Sequence, residues 1–326
     1  MENVTAFKNR IDLTELQEAM AGVRQEICRI IVGQEQFIDH LLVALLSRGH
    51  VLIEGVPGIA KTLTARLMAK TIAAGFSRIQ FTPDLMPSDV LGTSVFNLSS
   101  SKFEFNRGPV FSNVVLIDEI NRAPAKTQSA LFEVMEEYQV TIDGKTYPME
   151  EPFWVLATQN PIEQEGTYRL PEAQLDRFFM KINVGYPTLE EEILLLSNRN
   201  ERGLLPDTDR VKAVLTPSSI AAFREVVARV YVEPNLVRYI AQIVYATRTS
   251  PALYLGASPR ASLAVMAAAK AVAALSGRDF VTPEDVKEIT VPVLGHRIIL
   301  TPEKEMEGLK PEKIISIIVE SVEVPR

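Results

Sequence analysis

Eight residues, Gly55-Val56-Pro57-Gly58-Ile59-Ala60-Lys61-Thr62, join the short apolar run Val51-Leu52-Ile53 to a helically patterned segment from Thr62 and Leu63 to Ala73. A strand, a small-residue loop and a helix start line up free backbone N–H groups at the positive end of the helix dipole, a setting that attracts anions. A lysine in the first helical turn is electrostatically unfavourable unless an anion compensates it. Lys61 is therefore expected to reach the β- and γ-phosphates of a nucleotide, and the Thr62 hydroxyl to ligate Mg2+. Ala60 stands where the usual pattern has glycine, and close approach to phosphate then requires a negative φ at that residue. A second run, Val114-Val115-Leu116-Ile117, ends in the adjacent carboxylates Asp118 and Glu119. Strand neighbours point to opposite faces, so Asp118 is expected to turn towards the Mg2+ shell and Glu119 towards a water in line with the γ-phosphate. Those are the metal-positioning and base roles that phosphoryl transfer to water needs. Together the two motifs predict ATP binding, and Glu119 predicts hydrolysis.

The elements that must hold these residues follow from pattern. Apolar residues recur at helical spacing over Leu13 to Ile31, and a second helix runs to Leu46 after the turn Val32-Gly33-Gln34-Glu35. The runs at 51–53, 79–81, 114–117, 153–156 and 181–184 are short, apolar and separated by helical patterns, as a parallel sheet covered on both faces requires. Strand ends in such a sheet gather ligands at one edge. Two stretches interrupt the alternation and read as inserted hairpins: 91–111 around a serine cluster, and 139–147 around Asp143-Gly144, a strong turn signal. Thr188 and Glu191 form a capping box that opens a helix running towards Gly203. Beyond Pro206 the pattern predicts only helices, near 219–230, 235–247, 258–275, 282–291 and 311–321. The expected organisation is thus an α/β core over residues 1–186, a linker helix over 187–206 and a smaller all-α lid over 207–326.

Bulk properties narrow the class. The 326 residues suffice for two domains, and 47% hydrophobic with 23% charged residues is ordinary for a globular chain. A net charge of −7 argues against a chain built mainly to coat phosphate backbones. One cysteine, Cys28, allows no intrachain disulfide, and the N-terminus lacks the order of a signal peptide, so a cytoplasmic location is expected. His40, His50 and His296 have no zinc-ligand spacing, and neither G-x-S-x-G nor H-E-x-x-H occurs.

Over essentially its whole length the sequence resembles the MoxR branch of the AAA+ ATPases. The motifs are Ile31 to Glu35, Gly55 to Thr62, Leu116-Ile117-Asp118-Glu119-Ile120-Asn121-Arg122-Ala123, Ala157-Thr158-Gln159-Asn160-Pro161, Leu170 to Phe178 and Gly256-Ala257-Ser258-Pro259-Arg260. The resemblance implies an αβα P-loop core with inserted hairpins and a helical lid. It implies that Val32 and Gly33 lie on the adenine side and that Asn160 is the sensor-1 residue holding the attacking water or the γ-phosphate. It further implies that Arg177 is an arginine finger for the neighbouring subunit and that Arg260 is sensor 2. Arg260 also has a local argument: with Ser258 as N-cap and Pro259 as first helical residue, it is a second cation at a helix start. Arg122 is a weaker candidate for a subunit boundary.

The same resemblance implies a hexameric ring that remodels protein clients, associates with a von Willebrand factor A domain partner and serves in maturation of protein complexes. A nucleic-acid motor is the first alternative, but its hairpins should be basic. Here Lys102 and Arg107 are accompanied by Glu104, and Lys145 by Asp143, Glu150 and Glu151. A non-hydrolysing, nucleotide-gated scaffold is the second alternative, against which Glu119, Asn160 and Arg177 argue.

Overall fold

The structure, a computed structural model, describes residues 11–160, 168, 170–202 and 208–325. Pro161, Gly203 and Pro206, on which parts of the sequence reading fall, lie outside the described residues. In chain order the first elements are α1 (Thr14–Cys28), α2 (Glu35–Leu46), β1 (Val51–Gly55), α3 (Lys61–Thr71), β2 (Phe76–Gln80) and α4 (Pro87–Leu91). The hairpin β3 (Gly92–Asn97) and β4 (Lys102–Arg107) follows, then β5 (Val114–Asp118) and α5 (Ala125–Glu137). A second hairpin, β6 (Gln139–Ile142) and β7 (Lys145–Pro148), precedes β8 (Trp154–Gln159), α6 (Glu172–Leu175), β9 (Met180–Val184) and α7 (Leu189–Arg202).

Strands β2, β5, β8, β1 and β9 form one parallel sheet in that order. All five residues of β5 are buried, and their alternation feeds two cores. Val114 and Leu116 join α1, α2, α3 and the lid helices in one cluster. Val115 and Ile117 join Leu131, Phe132, Val134 and Met135 of α5 in the other. Burial on both faces is what the uninterrupted apolar runs anticipate. Strand β2 starts at Phe76, earlier than its apolar run suggests, because it is the sheet's edge and tolerates the polar Ser77 and Arg78. In the second hairpin Asp143 and Gly144 both take positive φ, 51° and 75°, as a two-residue turn of this hand requires. The capping box is present: the Thr188 N–H donates to Glu191 at 2.8 Å and the Glu191 N–H to the Thr188 hydroxyl at 3.3 Å.

The C-terminal region, which includes the lid, contains α8 (Pro217–Ala228), α9 (Pro234–Thr249), α10 (Pro259–Leu275), α11 (Pro283–Leu294), α12 (Pro302–Met306) and α13 (Pro311–Ser321). Its described residues are helical apart from an antiparallel ribbon, β10 (Leu253–Leu255) with β11 (Ile299–Leu300), where the sequence predicts no strand, and a single bridge between Tyr231 and Phe280. Elements of three and two residues are too short to carry an alternating signal. Among the described residues no helix is long and apolar enough to cross a membrane.

Two buried histidines give the fold a pH dependence. The His50 Nδ1 accepts from the Val155 N–H at 3.0 Å, and Nε2 lies 3.2 Å from the Met135 carbonyl, an arrangement that selects the neutral ring. Burial lowers the pKa of His50 to about 4 and that of His296 to about 3. Both folded values lie below the unfolded one, so the unfolded chain binds more protons below pH 6.5 and stability falls with pH. Each histidine is expected to cost about 2 kcal/mol between pH 7 and pH 5. The loss should begin near pH 6.5, above the range where carboxylates titrate. Urea midpoints that stay level between pH 7 and 5.5 would contradict this.

Candidate functional site

The C-terminal ends of the parallel strands bring Gly55, Gln80, Asp118 and Gln159 to one edge of the sheet. There the chain leaves β1 in a tight loop. A Cβ on Gly55 would come within 2.6 Å of the Ile59 side chain and 2.7 Å of the Val184 carbonyl, so only glycine fits. Gly58 has φ 87°, and Ala60, the N-cap of α3, has φ 61°. The negative φ expected at Ala60 is therefore not observed. Alanine adopts the conformation that glycine usually supplies, at a cost of about 1–2 kcal/mol, and the loop keeps its shape. Ile59 is buried in the core and Val56 packs against it, so these two serve the loop by anchoring it. The Gln34 side-chain amide donates to the Ile59 carbonyl at 3.0 Å and ties the Val32–Gly33 turn to the loop.

A cleft of about 380 Å³ opens over α3. One wall is Pro57, Gly58 and Ala60 to Leu63; the other is Arg78, Gln80, Asp118, Glu119, Thr158 and Asn160. Lys61 directs its ammonium to the Gly55 carbonyl. Asp118 is buried and accepts from Arg78 Nε at 2.6 Å, Thr158 Oγ1 at 3.1 Å and Thr62 Oγ1 at 3.4 Å. Glu119 takes φ 58° and donates its N–H to Thr158 Oγ1 at 3.0 Å. A non-glycine residue held in that region is strained by about 1–3 kcal/mol, a condition that concentrates at functional sites. Its carboxylate accepts from Gln80 Nε2 at 2.8 Å and pairs with Arg122 Nε at 3.0 Å. Adjacent carboxylates thus face different surroundings: Asp118 faces an arginine and two hydroxyls, Glu119 an amide and a second arginine.

Lys61, Thr62, Asp118, Glu119 and Asn160 share this cleft, whereas Arg177 and Arg260 do not line it. Those two meet in a separate hollow of about 250 Å³, where both pair with Glu136. Arg177 also donates to the Phe132 carbonyl at 2.9 Å. The anion facing Arg260 at the start of α10 is therefore a carboxylate of α5. Sequence reasoning did not single out Arg78, Gln80, Thr158 or Glu136. Arg78 and Gln80 are two apart on β2 and so share a face; their register against Leu116 and Asp118 would have revealed them. Glu136 carries no such signal, being one acid among several on α5.

Two family models match: the ATPase family associated with various cellular activities over residues 50–180, and the AAA lid domain over residues 245–318. The chain is 47% identical to Chaperone MoxR1 of Mycobacterium tuberculosis, covering 92% of this chain and 81% of the relative. Protein MoxR of Methylorubrum extorquens is 30% identical over 96% of this chain and 97% of its own length. The chain belongs to the MoxR family of AAA+ ATPases. A crystal structure from Cytophaga hutchinsonii superposes on this MoxR-family chain with a TM-score of 0.88 at 43% identity, covering 96% and 97% of the two chains. At the level of the family this assigns ATPase and chaperone-like function. The first match contains every cleft residue, and the second contains Arg260.

The donor set at Asp118 suits Mg2+. A carboxylate and a hydroxyl are hard oxygen ligands, and the Arg78 guanidinium that pairs with Asp118 would have to move aside for the ion. Among the described residues no group of three or more His, Cys, Asp or Glu side chains could hold a metal by itself. A Mg2+ at Thr62 and Asp118 would complete its shell with phosphate oxygens and water, as this ion usually does.

Proposed function

We propose that this chain hydrolyses ATP to ADP and phosphate in the cleft over α3, as one subunit of a hexameric ring that remodels or matures protein complexes. The observation that carries the ring is the separation of cations. Lys61 and Arg78 line the cleft, while Arg177 and Arg260 sit outside it on Glu136. A cleft without these arginines is half of a phosphoryl-transfer site, and a neighbouring copy offers the missing charges through a head-to-tail contact, which closes into rings.

In this reading the loop N–H groups and Lys61 hold the β- and γ-phosphates, with Lys61 turning from the Gly55 carbonyl to do so. Thr62 and Asp118 would hold Mg2+, which would supply neutralisation of the phosphate charge. Glu119 leaves Gln80 and Arg122, accepts a proton from water and directs its attack; Asn160 orients that water or the γ-phosphate. Arg177 from the next subunit meets the charge that develops on the transferring group, and Arg260 accompanies it. Val32 and Gly33 face the base. Protein clients are favoured over nucleic acid by the first hairpin, which exposes Phe96, Leu98 and Phe103 near its tip. A von Willebrand factor A domain partner and a cytoplasmic location rest on the resemblance and on the single cysteine.

Turnover per chain should depend on assembly. Across the concentration range in which light scattering records oligomer formation, kcat is expected to rise on the order of 10²-fold or more. Equal turnover in monomer and oligomer would overturn the trans-acting reading.

A further inference from the structure

Asp176 and Phe178, the residues on either side of Arg177, are held by the lid. The Ser258 hydroxyl donates to the Asp176 carboxylate at 2.9 and 3.1 Å. Arg297 places Nε 3.3 Å from the same carboxylate and donates from Nη2 to the Asp176 carbonyl at 3.3 Å and the Phe178 carbonyl at 2.7 Å. The neighbouring His296 Nε2 lies 3.0 Å from the Phe178 carbonyl. The guanidinium therefore straddles Arg177, bonding the backbone one residue before it and one residue after it.

Arg297 is an unusual residue to bury, with 3% of its side chain exposed. Apolar packing joins two segments at least as well as a buried ion pair does. What an arginine adds is a planar fork of directed donors. Neither its Nε nor its Nη1 makes a hydrogen bond, so both backbone bonds come from Nη2, and satisfaction of the buried cation has been subordinated to the geometry around residue 177. The lid also carries Arg260, which shares Glu136 with Arg177. Beside the clamp lies a cavity of about 480 Å³ between Leu52, Glu54 and Gln159 of the sheet and Leu255, Gly256 and Ile298 of the lid. The joint between core and lid is hollow there, and the polar clamp is what fixes the 176–178 segment to the lid.

We infer that Arg297 is a positioning residue for hydrolysis: it fixes the Arg177 segment to the lid, so that lid orientation sets where Arg177 is presented to the neighbouring subunit. The inference rests on the trans-acting reading of Arg177. A displacement of about 1 Å from productive geometry can cost on the order of 10²-fold in rate.

The test is a double-mutant cycle in the assembled full-length chain, reading kcat and nucleotide Kd. Arg297→Met is expected to lower kcat on the order of 10- to 100-fold with Kd changed less than about twofold. On an Arg177→Ala background the same change should lower kcat less than about twofold further. Arg297→Lys, which keeps the charge but loses the fork, should recover part of the rate. Ser258→Ala removes one anchor of Asp176 with little loss of buried volume, and it carries the same cycle if Arg297→Met does not fold. Its kcat loss, about threefold, should vanish when Arg177 is absent. Losses that multiply across the cycle, or a weakened Kd with kcat intact, would overturn the inference while leaving the reading of Arg177 standing. Full turnover in Arg177→Ala alone would sink that reading and this inference with it.

Discussion

Glu119→Gln is expected to lower ATP turnover by 10²- to 10⁴-fold, the range for loss of a positioned general base, while ATP binding stays within about threefold. The side chain leaves the strand end where β5 delivers it, beside Asp118 and across the cleft from Lys61. An amide of the same shape can still meet Gln80 and Arg122, the partners of the carboxylate at 2.8 and 3.0 Å. It cannot accept a proton from water at neutral pH. Because Thr62 and Asp118 are untouched, phosphate binding should survive, and kcat should fall while nucleotide Kd does not. Retention of more than about a tenth of wild-type turnover would remove Glu119 from the base role. The variant should also hold ATP without completing the cycle, which makes it a trap for the client or adaptor.

The parts of this site that were legible in the sequence are those built from neighbours in the chain. Val114 to Glu119 announces a buried strand ending in two carboxylates, and the loop from Gly55 to Thr62 announces a helix start stripped of bulky side chains. Asp143-Gly144 declares its hairpin because two successive positive φ values suit few residue pairs. Other features depended on partners far away in the chain. Glu136 meets Arg260 across 124 positions, and Arg297 meets Phe178 across 119. No local period or turn residue encodes such a contact. Arg78 was hidden for a different reason: an edge strand needs no continuous apolar run, so β2 showed only its C-terminal end from Ile79. The sign of φ at Ala60 is not dictated by its side chain, because alanine has only a preference for negative φ. The surrounding loop outweighed that preference of about 1–2 kcal/mol.

Arg177→Ala should separate binding from chemistry more sharply still. An arginine supplied to a phosphoryl-transfer site contributes about 10³ to 10⁵ in kcat. Since Arg177 does not line the cleft of its own chain, its removal should leave nucleotide affinity within about threefold. The decisive measurement mixes subunits. Arg177→Ala chains keep Glu119, and Glu119→Gln chains keep Arg177, so neither forms a competent ring alone. In an equimolar mixture, roughly a quarter of the head-to-tail contacts pair an intact Glu119 with an intact Arg177. Turnover should therefore recover to about that fraction of wild type if contacts act independently, and to less if the ring demands concerted action. Arg177 acting within its own chain predicts no recovery at any mixing ratio. Glu136 adds a further discrimination. It pairs with both Arg177 and Arg260, and those pairs must open before either arginine can reach a phosphate. Glu136→Gln should therefore weaken a restraint on both arginines, and any gain in turnover it produces should disappear in the Arg177→Ala background. A destabilised fold would instead lower turnover in both backgrounds alike.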